Sequence, residues 1–355
     1  MTSAVEDLEA ALGADWKAIR AARAWTAETL TTLREGLASL EDPGYSVVIT
    51  GSYGRGEATR GSDADWFLLV DGPSNPEHIR VAKEIGRRIK SVVRKETGTT
   101  KTFADIVASH DLVHYIAGTR DTNLNLTRRI LLLSESTYLT GQLVREKVVR
   151  NVLNRYVFFD RSVHAPGDEF VRIPHFLLND IVRYWRTMAS DFASKMWEGD
   201  RTGWGIRNIK LRFSRKLLFV GGLLSSFAGE LFPSAALGQA TTEDDFLTLL
   251  ADLVCEQTSI SPLDQLARVL LNSPVAPELA QQIFSAYEIF LDALSQDDVR
   301  EKLEHVKFEQ AAGDETYHRL RIESRNFRHG INDLFFDPKK GHEVLIKLIR
   351  NVGVF

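Results

Sequence analysis

Over residues 2–40, alanine and leucine alternate with glutamate at helical spacing, and Pro43-Gly44 ends the pattern. The period then changes. Tyr45 to Thr50 is a short apolar run bounded by turn signals and predicts a strand. Gly51 to Gly56 predicts a turn that opens a helix, and Asp65 to Val70 a second strand ended by Asp71-Gly72-Pro73. Pro76 to Lys95 predicts a helix with a basic outer face, Thr102 to Ala108 a third strand, and Asp111 to Ala117 a short helix. From Leu124 the helical pattern runs almost to the last residue. It is broken at Ala165-Pro166-Gly167, at Gly199 to Gly205, and at Pro233, Pro262 and Pro338. No segment repeats at a fixed period. The expected fold is α+β: a small mixed β-sheet with helices on one side, N-terminal helices and a large α-helical C-terminal domain. The expected divisions are residues 1–40 as N-terminal helices packing on the core, 41–136 as the core, and 137–355 as the helical domain.

Composition narrows the function less than the pattern does. The chain has 355 residues, 44% hydrophobic and 26% charged, which is ordinary for a globular protein. A net charge of −4 marks no general nucleic-acid or membrane binder, so any anion site has to be a local cluster. One cysteine, Cys255, excludes an internal disulfide and a thiolate metal cage, and fits a reducing cytoplasm. The first residues do not read as a signal peptide. The run Leu217 to Phe232 reads as a buried helix rather than a membrane span, because glycines, serines and Glu230 interrupt it.

The stretch VITGSYGRGEATRGSDADWFLLV, residues 48–70, concentrates the chemistry. Asp63 and Asp65 stand two apart ahead of a strand and therefore share a face. Two carboxylates that close repel, and a hard divalent cation such as Mg²⁺ or Mn²⁺ relieves the repulsion. Gly51-Ser52, where a strand turns into a helix, aims backbone N–H groups and a hydroxyl at one point, which favours phosphate. A phosphate cradle followed by a metal-binding aspartate pair suits nucleotide polyphosphate chemistry. Trp66 alternates with the aspartates and is expected in the core.

Gly51-Ser52 followed by Ser62-Asp63-Ala64-Asp65 resembles the signature of the DNA polymerase β-like nucleotidyltransferases. The fuller string Gly51-Ser52-Tyr53-Gly54-Arg55-Gly56-Glu57 looks most like the branch of the PII uridylyltransferases and their bacterial relatives. It is also similar to the cyclic-oligonucleotide synthases of anti-phage systems. The resemblance is sharp over residues 47–70 and softer to about residue 136. It implies two metal ions, Mg²⁺ or Mn²⁺, held by Asp63, Asp65 and a third acid on a neighbouring strand. It also implies that Gly51 and Ser52 bind the β- and γ-phosphates, with Arg55 added as a further nucleotide contact.

Three acids compete for the third place. Asp71 has the right parity but lies about 20 Å along the strand from Asp65 at ~3.3 Å per residue. Asp111 reads as a helix-start acid complementing the dipole. Asp105, read as an acid inside an apolar strand, is costly unless paired or metal-bound and is the choice, with a buried salt bridge as its alternative.

Downstream, Asp121 or Thr122 is the expected N-cap of a helix from Leu124 to Ser136. Asn208, Arg212, Arg215 and Lys216 are expected on one side of a single helix, with Lys210 nearby. Arg183 and Arg186 form a second basic pair. Lys210, Arg212 and Arg215 are expected nucleotide contacts if this helix faces a cleft, and solvated charges if it does not. Glu323 to His329 reads as a surface helix end. The expected activity is transfer of an NMP from an NTP to an acceptor hydroxyl with release of pyrophosphate. The acceptor, whether protein, tRNA or another nucleotide, is left open, as is the oligomeric state; no membrane partner is expected. The alternatives are a defence-signal synthase, a toxin-type transferase acting on tRNA or protein, and a non-catalytic nucleotide sensor.

Overall fold

A computed structural model describes residues 3–93, 103–160, 172–197, 203–232 and 235–353. Lys95, Thr102, the 165–167 break, Gly199 and Pro233 lie outside the described residues. By internal contacts the chain forms two units. One comprises Arg23–Tyr184 and Pro233–Ser261; the other comprises Met1–Ala22, Trp185–Phe232 and Pro262–Phe355. The expected 1–40 segment is therefore divided between them.

The first unit holds the sheet. Its strands are β1 (Tyr45–Thr50), β2 (Trp66–Val70), β3 (Asp105–Ala108) and β4 (Ser136–Thr140), in the order β3-β2-β1-β4. β1 is antiparallel to β2 and β4, and β2 is parallel to β3, so the sheet is mixed as expected. β4 falls where a helix was expected to run on to Ser136. The helix stops at Ser134, and Ser-Thr-Tyr-Leu-Thr, rich in β-branched and aromatic residues, pairs with β1 instead.

Helices of the chain are α1 (Ala4–Leu12), α2 (Lys17–Leu37), α3 (Ser52–Arg55), α4 (Glu77–Val92), α5 (Ser109–His114), α6 (Asn123–Ser134), α7 (Gln142–Phe158) and α8 (His175–Trp197). They continue with α9 (Trp204–Arg212), α10 (Ser214–Ser226), α11 (Ala228–Leu231), α12 (Ala235–Gly238), α13 (Glu243–Ser259) and α14 (Pro262–Leu271). The last are α15 (Pro277–Ser295), α16 (Asp297–His305), α17 (Glu315–Phe336) and α18 (Glu343–Leu348). No helix of the described residues is long and apolar enough to cross a membrane.

Both faces of the sheet are covered, not one. Val47, Ile49, Trp66, Leu68 and Val70 pack with Leu30, Leu33 and Leu37 of α2 and Ile85 and Ile89 of α4. On the opposite face Val48, Phe67 and Leu69 are fully buried, and α6 and α7 lie against the strands there. A sheet buried on both sides needs continuous apolar strands, which explains why β1 and β2 read as unbroken runs rather than alternating ones.

In the second unit, Phe213 breaks the expected single basic helix into α9 and α10. Its ring is fully buried and stacks on Phe290 at a centroid distance of 4.6 Å, with Tyr287 and Phe327 around it. Docking that aromatic ring interrupts the basic face at its midpoint. Glu323 to His329 lies inside α17 rather than at a helix end.

Candidate active site

β1 ends at Thr50, whose N–H and Oγ1 both donate to the Asp65 carbonyl, at 2.7 and 3.1 Å. That pair pins the start of the Gly51 turn beside the aspartates. Gly51 has φ +70°, and a Cβ placed on it would stand 3.8 Å from Asp65 Oδ2. Glycine meets both needs there, a positive φ and close backbone approach. One turn of helix, α3, follows. The Arg55 N–H donates to the Gly51 carbonyl at 3.0 Å, and the Glu57 N–H to the Ser52 carbonyl at 2.8 Å. The N–H groups of Ser52 and Tyr53 precede this ladder, as the first amides of any helical turn do.

The aspartates continue the alternation of β2 backwards. Ala64 and Trp66 point into the core, while Asp63 and Asp65 are only partly buried on the other side. Trp66 is thus core, as its parity predicts. The Tyr53 hydroxyl is pushed up to about 12, by burial first and by the Asp63 charge second. That places the negative charge of Asp63 close to the α3 turn.

Asp105 pairs with Phe67 in the parallel register of β2 and β3, so it shares the face of Asp65, about 8 Å away at ~4.8 Å between strands and ~3.3 Å per residue. The premise of a buried acid is corrected: Asp105 heads the strand, its side chain is 51% exposed, and Arg128 Nη2 donates to its Oδ2 at 2.6 Å. An exposed carboxylate at a strand start carries little desolvation cost, so burial does not argue for metal there. Among the described residues no group of three or more His, Cys, Asp or Glu side chains is gathered around a common point suited to an ion. Asp63 and Asp65 are both partly buried ahead of β2, and Asp105 is paired with Arg128.

Arg55 also departs from its expected task. It is 6% exposed, donates through Nε to Glu57 Oε2 at 2.8 Å, and forms a second ion pair with the buried Glu135. Its contacts make it a brace between α3 and the start of β4. Gly54 belongs to the same joint, since a Cβ there would lie 2.0 Å from the Glu135 carbonyl oxygen. Asp71 is bound by Lys147 Nζ at 2.8 Å and the Ser109 hydroxyl at 2.6 Å, away from the aspartate pair along β2. Asp111 sits in the first turn of α5.

Residues 30–108 match the family model of the nucleotidyltransferase domain. The match spans β1, the Gly51 turn, both aspartates and β3. No curated protein matches the chain, and no solved structure does. The nucleotidyltransferase domain supports nucleotidyl transfer as the general chemistry, with an NTP as the implied substrate.

Sequence reasoning missed two residues of this region. Arg128 was left without a role, although an arginine one turn into a helix that packs on the sheet is placed to reach an acid at a strand start. Arg129, beside it, anchors a fully buried network. Its guanidinium reaches Asp121 at 3.0 Å, Asp180 at 2.8 Å and the Tyr156 hydroxyl at 2.6 Å. Arg183, of the second basic pair, binds the same two aspartates at 3.2 and 2.9 Å. Thr122 is the N-cap of α6, accepting from the Asn125 N–H at 3.1 Å.

Proposed function

We propose that the chain is a metal-dependent nucleotidyltransferase that moves an NMP from an NTP to an acceptor hydroxyl. The observation that carries the reading is the juxtaposition of the Gly51 turn with Asp65, in a segment that matches the nucleotidyltransferase domain. The donor set fits Mg²⁺ or Mn²⁺. Magnesium is commonly bound by one or two carboxylates with substrate phosphates completing its shell, and the paired aspartates supply such a half-site. A bound cation would supply charge neutralisation for the triphosphate and polarise the acceptor oxygen.

The residues of the chain do the rest. Asp63 and Asp65 would hold the cation, whose charge would relieve the repulsion between them. The Ser52 hydroxyl and the first amides of α3 receive the β- and γ-phosphates. The acceptor oxygen attacks the α-phosphorus, the bond from α-phosphorus to the bridging oxygen breaks, and pyrophosphate leaves. Asp105, paired with Arg128 in this structure, would be the residue that takes the acceptor proton. The affiliation with the PII uridylyltransferase branch is part of this proposal. Arg55 is not assigned to the nucleotide, because both its carboxylate partners are buried with it. The cations of α9 and α10 belong to the other unit, and the reading does not use them.

The test is incubation with each labelled NTP and Mg²⁺ or Mn²⁺, with protein, RNA and small-molecule products separated. Asp63→Asn and Asp65→Asn should each abolish label transfer while leaving the melting temperature at or above the parent value, because removing one charge relieves a repulsive pair. Full transfer by either variant sinks the mechanism.

A further inference from the structure

Two histidines meet on the surface of the sheet-bearing unit, in the helix that follows β3. His110 and His114 stand four residues apart on α5, so they share one face of it. Their ring centroids are 4.7 Å apart, with the planes tilted by 44°. Both side chains are exposed, His110 at 61%. Asp111 Oδ1 lies 3.6 Å from His110 Nδ1. The Tyr115 ring meets His110 edge-on at 5.3 Å, and the Arg120 guanidinium lies over Tyr115 at 5.4 Å. Among the described residues neither imidazole makes a hydrogen bond.

The bland reading accounts for part of this. Two exposed rings one helical turn apart touch and shed a little water. It does not account for what surrounds His110. A carboxylate beside Nδ1 and an aromatic edge against the ring limit where the imidazole can turn. Metal-ligating histidines are oriented in the same way, with a carboxylate near the nitrogen that does not bind the metal. Here that leaves Nε2 of His110 as the ligand atom. Zn²⁺ holds two imidazole nitrogens at about 2.0–2.1 Å each, which sets them roughly 3.4 Å apart. Rings centred 4.7 Å apart can present nitrogens at that separation. A six-residue helix is also too short to be stable by itself, and a cation bridging positions i and i+4 would close its turn.

We propose that His110 and His114 form a two-histidine site for a transition-metal dication of the Zn²⁺ class, with Asp111 orienting His110 and water completing the shell. Imidazole nitrogen selects such ions over Mg²⁺, which favours oxygen ligands. The site is separate from the aspartate pair. Asp105 heads β3 and α5 follows its far end, about 10 Å of strand away at ~3.3 Å per residue. The inference does not depend on nucleotidyl transfer.

The experiment titrates ZnCl₂ calorimetrically into the full chain, without an affinity tag and in excess MgCl₂, so that oxygen-ligand sites are already occupied. Saturable binding is expected. His110→Ala and His114→Ala should each raise Kd at least tenfold. His318→Ala should leave it unchanged, because His318 is an exposed histidine of α17 with no second histidine one turn away. Both test positions are exposed, and a melting temperature near the parent value without Zn²⁺ certifies each variant. A second measurement needs no variant: one equivalent of Cu²⁺ on the parent chain should give an electron paramagnetic resonance spectrum with two nitrogen ligands. Absence of saturable binding, unchanged affinity in both certified variants, an equal loss in His318→Ala, or a Cu²⁺ spectrum with fewer than two nitrogens overturns the proposal.

Discussion

Arg129 and Lys216 are both cations withdrawn from water, and their surroundings are opposite. Arg129 is fully buried among Asp121, Asp180 and the Tyr156 hydroxyl, and these partners hold its charge more firmly than water would, so its pKa moves up. Lys216 is only partly buried, yet its neighbours are Arg212 and Arg328, and its pKa moves down. Burial alone does not decide the fate of a charge; the sign of what surrounds it does. A charge answered within the fold is structural. A charge opposed by its neighbours costs the fold stability instead.

The largest expected effect breaks the closed side of this comparison. Arg129→Met leaves Asp121 and Asp180 buried with Arg183 as their remaining cation, and it should cost about 3–5 kcal/mol, the range for removing one partner of a buried ion pair. Urea unfolding monitored by circular dichroism measures it. A loss under 1 kcal/mol would mean that the network is open to water and that the contrast with Lys216 is false.

Next comes Gly51→Val. Forcing a β-branched residue to a φ near +70° should cost about 1–3 kcal/mol and put a side chain against Asp65. NTP affinity, followed by heat stabilisation with Mg²⁺, should fall beyond detection, whereas Ser52→Ala should weaken it modestly because backbone donors remain. Normal NTP binding by Gly51→Val would show that the turn is not a cradle.

Arg128 tests the middle ground. It adjoins Arg129 on α6, but its partner Asp105 is half exposed, so Arg128→Gln should cost less than Arg129→Met. The two neighbouring arginines should thus differ severalfold in the same unfolding assay, and equal losses would dissolve the distinction between closed and open sites.

These contrasts mark how far the sequence could be read. β1 was legible to the residue, and β2 and the turn nearly so, because an apolar run between glycines and aspartates is a short-range pattern. The parity of Asp63, Asp65 and Trp66 followed from the alternation of a strand. β4 was hidden by the helix before it, although Ser136 to Thr140 carries strand-forming residues. The Arg129 network was invisible, since Asp121 and Asp180 come together only through the packing of α6, α7 and α8. Arg55 misled for the same reason: within the motif it reads as a phosphate contact, and its partner Glu135 lies far along the chain. The break at Phe213 depends on aromatic rings contributed by α15 and α17.

The last effect concerns the open side. Lys216 has its ammonium near 8 in the folded chain against an ordinary value of 10.5. Between those pH values the unfolded chain binds a proton that the folded chain does not, so stability from this group rises as pH rises through the window. Below pH 8 both states carry the proton, and the folded state holds it at a disadvantage. Lys216→Met should therefore melt above the parent at pH 7, with the gap closing as pH approaches 10.5. The comparison is made between parent and variant at each pH, so other titrating groups cancel to first order. Arg212 and Arg328 stay charged throughout and supply a constant background. A variant that melts below the parent at pH 7 would show Lys216 to be favourably paired, and the contrast with Arg129 would be false.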